Sequence, residues 1–315
     1  MPYLTLPFFQ ELEHAQSILI AGAGGGFDVF SGLPLYFALR EQGKQVHLAS
    51  VSFSPLEYAD GRRLTPALVE VTPTTQGREA YFPEKSLAKW LAAQGEPQPV
   101  YSFQRSGVQP LLMAYQTLVD LLQVDTIILV DGGIDSLLSG DESALGSPQE
   151  DAASIAAVHQ LSLQRKLLVC LGFGIDHTVC HAQALEAISQ LIAQGGFLGA
   201  WSLTQDMPEV RRYREATEAV FRETPAHWSI ASSSILAALA GRFGNAHTIK
   251  ETEGMRLFIN VLMTIYWCFR VDAVAQKLLY LNSILRTSTI DEVGYAIGQF
   301  RNALPARKKW VSLPM

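Results

Sequence analysis

The chain has 315 residues, 48% of them hydrophobic and 17% charged, with a formal net charge of −6. So few charges against so much apolar material exclude a disordered chain, and a sequence pI near 5.7 argues against a nucleic-acid binder, which carries a basic face. The same imbalance calls for a large buried core and suits a homodimer interface.

Residues 17–21 are a short apolar run ending in a glycine turn, Gly22 to Gly26. A helix-periodic stretch follows over 28–42, and a strand over 45–53, which together have the size of a βαβ unit. Residues 54–105 are broken by Pro and Gly and read as an irregular insertion with a helix near 84–93 and a few short strands. A helix is expected over 110–122, with Pro110 in its first turn where a missing N–H costs nothing. Residues 126–130 are apolar and β-branched, as in a strand buried on both faces. Ser147 and Pro148 open a helix reaching about residue 164, with Glu150 and Asp151 suiting the positive end of its dipole. A second buried strand follows at 166–171, then a helix over 178–193, a strand over 197–203 and a helix over 208–221.

The remainder to 304 reads as mostly helical. The longest apolar run, 257–269, is too short for a bilayer, which needs about 20 residues, and is taken as a buried helix. Two overlapping capping boxes at 288–292 start the last helix. Arg307, Lys308 and Lys309 read as a solvated basic tail. The expected fold class is therefore α/β: a Rossmann-like three-layer αβα core with a mainly parallel sheet over 1–205, and a helical part over 206–315 packed on it, within one domain or as a second. No leader peptide or membrane span is read. Cys170, Cys180 and Cys268 are widely spaced and odd in number, which fits reduced thiols in a cytoplasmic protein.

Three strand ends repeat one local pattern: an apolar strand, a glycine turn, an aspartate. They lead to Asp28, Asp135 and Asp176. Parallel strands finish along one edge, where ligands of open α/β sheets bind, so these aspartates should gather there. Each alone reads as a helix cap. Together they read as ligands of a divalent cation, Mg²⁺ or Mn²⁺, since clustered carboxylates repel unless a cation or a hydroxyl-rich ligand lies between them. Asp131, Asp141 and Glu142 lie in or after the second turn and are candidates to join them, Asp131 with a catalytic role. Gly24, Gly25, Gly26, Gly132 and Gly133 would let a ligand approach the backbone. His177 and His181, four apart at a helix start, are acid–base candidates.

Gly22 and Gly24 also match the first two glycines of a dinucleotide fingerprint, but its sixth position is Phe27 and no acid follows the second strand. NAD and FAD are therefore disfavoured. No serine sits in a nucleophile elbow. The chemistry these residues support most simply is metal-assisted hydrolysis of a ribose- or phosphate-bearing metabolite. A nucleotide-binding oxidoreductase or transferase and a non-enzymatic ligand sensor or partner-binding protein are the alternatives.

The segments GAGGGFD (22–28), DGGIDSLLSGDE (131–142) and GSPQED (146–151), with Asn260 in its apolar run and Tyr266-Trp267 beyond, resemble domain-of-unknown-function family 1152, a family of uncharacterised microbial proteins. The resemblance extends from about 17 to 270. It implies an α/β fold and brings no reaction, cofactor or catalytic residue with it.

Overall fold

A computed structural model describes residues 5–77, 81–176, 178–224, 227–254 and 257–310. One sheet of nine strands runs through it. The strands are β1 (Ser17–Gly22), β2 (Gln45–Ser52), β3 (Arg62–Thr65), β4 (Leu68–Val71), β5 (Val100–Gln104), β6 (Thr126–Asp131), β7 (Arg165–Cys170), β8 (Phe197–Ser202) and β9 (Ile265–Arg270), in the order β3-β4-β5-β2-β1-β6-β7-β9-β8. The central five, β5-β2-β1-β6-β7, are parallel. Only β4 and β9 run against the rest.

Twelve helices are described: α1 (Pro7–Glu13), α2 (Asp28–Ser31), α3 (Leu33–Glu41), α4 (Pro83–Ala93), α5 (Val108–Leu122), α6 (Gln149–His159), α7 (His181–Ala193), α8 (Pro208–Glu223), α9 (Ile230–Leu239), α10 (Val271–Lys277), α11 (Leu281–Ile284) and α12 (Ile290–Ala303). Strand side chains alternate between faces, and β1, β6 and β7 each feed two cores. Leu19, Ile127, Leu129 and Leu168 pack with α5, α6, α7, α10 and α12. Ile18, Ile20, Ile128, Val130, Leu167 and Val169 pack with α1 to α4, α8 and α9. The result is a three-layer αβα fold. No helix among the described residues is long and apolar enough to cross a membrane.

Two expectations are corrected. The run 257–269 is not a helix: a 3-10 turn, Val261–Thr264, leads into β9, which is inserted between β7 and β8. Asn260 starts that turn, its side-chain oxygen accepting the Leu262 N–H at 3.0 Å. The helix expected over 28–42 is broken at Gly32, where the chain meets the sheet: a Cβ there would lie 2.6 Å from the Ile20 Cγ2 atom. The basic tail is exposed at Arg307, Lys308 and Lys309, and Lys308 pairs with Asp141 at 3.3 Å and approaches Glu186 at 3.8 Å.

Candidate functional site

β1, β6 and β7 are neighbours in register, Gly22 level with Val130 and Asp131 with Cys170. Their carboxyl ends therefore open onto one place. It is also the switch point of the sheet, since the chain leaves β1 toward β2 on one side and returns as β6 on the other. A pocket of about 560 Å³ lies there. Its described lining includes Asp28, Asp131, Asp135, Glu150, Asp151 and Asp176 and no lysine or arginine.

Backbone amides of the surrounding turns position most of these carboxylates. Asp28 begins α2, and its Oδ2 accepts the Gly24 N–H at 2.8 Å. Asp131 ends β6. Its Oδ1 accepts the Gly133 N–H at 2.7 Å, and its Oδ2 accepts from the Ser136 hydroxyl and, at 3.4 Å, the Ser136 amide. Asp135 accepts the Ser147 N–H at 2.7 Å, and Asp176 accepts the Ile134 N–H at 2.9 Å. Asp151 lies in the first turn of α6, which the Ser154 hydroxyl joins to the Ala23 carbonyl at 2.9 Å. Its Oδ1 is buried with no hydrogen-bond partner.

Oxygens of Asp28, Asp131 and Asp151 all lie within 4.8 Å of one another. At 4.8 Å and an effective dielectric near 20, two unit charges repel by roughly 3 kcal/mol. Three such pairs reach about 10 kcal/mol, the scale of an entire folding free energy. The cluster therefore does not ionise fully alone. Burial, then the neighbouring Asp131, pushes Asp28 well above the usual carboxylate range. Burial raises Asp151 in the same way, with Asp131 adding to it. Asp135 is raised by burial and then by Asp176. Asp131 is pushed up to about 6 by burial, then by Asp176. Such a group holds protons or a cation of oxygen-ligand preference.

Glycines let the carboxylates close in. A Cβ at Gly24 would stand 2.6 Å from the Asp28 Oδ2 and 2.8 Å from the Asp151 Oδ2, and one at Gly132 would stand 2.6 Å from the Asp28 Oδ1. Gly133 abuts Asp176 in the same way. Gly25 and Gly26 instead pack under the ring of Phe53.

The geometry brings some of the residues singled out in the sequence together and separates others. Asp28, Asp131, Asp135 and Asp176 share the pocket with Gly24, Gly132 and Gly133. Asp141 and Glu142 do not line it. Glu142 accepts the Ser139 and Gly140 amides at 2.9 and 2.8 Å, and the Arg301 guanidinium clamps the Gly140 and Glu142 carbonyls, so Glu142 and Arg301 hold a loop, while Asp141 pairs with Lys308. His181 also lies off the pocket lining. Its ring meets Phe173 at 5.1 Å, and burial lowers its pKa. His177 falls outside the described residues. In the sequence Asp151 and Glu150 stand out only as favourable helix-start acids. Nothing in the spacing marks them as site residues, because α6 reaches the pocket through the tertiary fold.

A model of a family described as "Protein of unknown function (DUF1152)" matches residues 19–300. The chain belongs to the DUF1152 family. The match spans the sheet from β1 to β9 and every carboxylate of the pocket. Comparison with curated proteins and with solved structures gave no match.

Proposed function

We propose that the chain is a divalent-cation-dependent hydrolase of a small ribose- or phosphate-bearing metabolite. The observation that carries this reading is the Asp28–Asp131–Asp151 triangle, whose member Asp151 keeps a buried oxygen with no protein partner. The donors are all carboxylate oxygens, which suit Mg²⁺ or Mn²⁺ over softer-ligand metals. A cation so held supplies Lewis acidity and an activated water. Asp135 lines the same pocket, and burial, with Asp176 beside it, pushes its pKa well above the usual carboxylate range, which favours its protonated form. That makes it a donor to a leaving-group oxygen.

The dinucleotide alternative has less support. The Asp28 carboxylate already accepts the Gly24 N–H that a pyrophosphate would need, and Phe53, not an acid, follows β2. A homodimer in a reducing cytoplasm belongs to the same proposal. It is motivated by three free cysteines and by the exposed Phe243, Phe258 and Val261.

The test is a Mn²⁺ titration of chelator-stripped protein by calorimetry, followed by assays for phosphate and ribose release from phosphomonoester and N-ribosyl compounds. Saturable Mn²⁺ binding that Asp151→Asn weakens at least tenfold is expected. No binding of Mn²⁺ or Mg²⁺ at millimolar concentration would sink the cation. Binding without turnover of either class would make the protein a ligand sensor instead.

A further inference from the structure

Phe53 directly follows β2, whose residues from Leu48 to Ser52 are all buried, yet its own side chain is 50% exposed. A large apolar ring left in water beside a pocket of carboxylates calls for an occupant. The ring forms part of three adjoining cavities. One is the carboxylate pocket; the second, about 380 Å³, includes Arg105; the third, about 400 Å³, is walled by Tyr81 and His227.

The ring is held by backbone. The chain has positive φ at Gly25 (95°), where a Cβ would come within 2.9 Å of the Phe53 Cε1 atom. Only a glycine loop lets the ring settle there. The Arg105 guanidinium lies 5.6 Å from the ring centroid and pairs with Glu150, itself part of the carboxylate pocket. Tyr81 and His227 meet edge to face at 5.2 Å. The polar pocket therefore opens outward onto an aromatic wall with a cation beside it.

We propose that the substrate is a nucleotide-like molecule whose flat ring stacks on Phe53 while its sugar or phosphate end faces the aspartates. This rests on the cation reading for the polar end, since bare phosphate would be repelled by the negative charge of the carboxylate cluster. The ring subsite stands on Phe53 and its neighbours. Arg105 orients the ring edge or an attached anionic group. Stacking of a base on an aromatic side chain adds roughly five- to a hundredfold to affinity, and a sugar phosphate without the ring does not gain it.

The experiment uses the full chain loaded with Mn²⁺, with adenosine 5′-monophosphate and ribose 5-phosphate as the two probes. At least tenfold tighter binding of the nucleotide is expected. Phe53→Ala should remove that advantage and leave Mn²⁺ and ribose 5-phosphate binding as they were, and Phe53→Tyr should restore it. Phe53→Leu, which keeps bulk without a ring, serves if the alanine variant melts early. Equal binding of the two probes, or a preference that survives both Phe53→Ala and Phe53→Leu, overturns the proposal. If Mn²⁺ fails to bind, the cation reading falls by itself. The two probes are then compared without metal, where a Phe53-dependent preference upholds the ring subsite and its absence overturns it.

Discussion

Asp151 and Asp131 both lie in the carboxylate triangle, but their attachments differ. Both oxygens of Asp131 are engaged by the loop at Gly133 and Ser136, while Asp151 keeps a buried oxygen with no partner. Removing Asp131 therefore disturbs a turn as well as a ligand. Removing Asp151 relieves repulsion and leaves the loop intact. Asp151→Asn should stabilise the metal-free protein by about 1–3 kcal/mol while weakening Mn²⁺. A melt of both forms with and without Mn²⁺ checks this, and a variant less stable than the parent without metal would contradict it. Outside the pocket, Glu84 in the first turn of α4 is fully buried, and burial pushes its pKa from 4.5 up to about 7. The unfolded chain ionises first, so stability falls as pH rises from about 4.5 to about 7. Above that the loss levels off at roughly 3 kcal/mol. Glu84→Gln should match the parent near pH 4 and exceed it at pH 8 by up to that amount. Urea titrations at both pH values decide it, and equal stabilities at pH 8 would refute the assignment.

At the scale of elements, the break between α2 and α3 ties packing to the site. Gly32 lies on the sheet, where a Cβ would stand 2.6 Å from the Ile20 Cγ2 and 3.0 Å from the Val130 Cγ2. Gly32→Ala should cost about 1–3 kcal/mol through overpacking. Because α2 carries Asp28 at its first position, the same change should loosen Mn²⁺ binding severalfold. Urea unfolding paired with a Mn²⁺ titration tests both, and loss of stability with unchanged Mn²⁺ affinity would uncouple the two. The strands that build the site were legible because β1, β6 and β7 are short apolar runs closed by glycine, a pattern that a buried parallel strand imposes. β9 was not legible as a strand. A buried apolar run satisfies helix and strand templates alike, and Asn260 starts the turn before β9 without announcing it. Asp151 was hidden for a related reason. An acid in a helix's first turn is ordinary, and only the placement of α6 over the end of β1 aims it at the pocket. Asp141 and Glu142 erred the other way, since closeness to Asp135 in sequence did not bring them to it in space.

Across the whole molecule, β9 decides how the C-terminal residues relate to the rest. β8 pairs with β9 and not with β7, so β8 is joined to the sheet only through residues 265–270. The Tyr266 hydroxyl donates to the Ser31 carbonyl in α2, beside the site, and α10 packs on α6. A fragment ending at residue 205 would lose α8 and α9 from one face and α10 and α12 from the other. It would also leave β7, with Leu167, Leu168 and Val169 fully buried in the intact fold, as an unpaired apolar edge. The full chain should therefore unfold in a single calorimetric transition, and the fragment should show no cooperative melt and should aggregate. A fragment that melts sharply within a few degrees of the full chain would mean that residues 1–205 fold alone. The C-terminal strand would then be an addition to a finished sheet rather than part of what closes it.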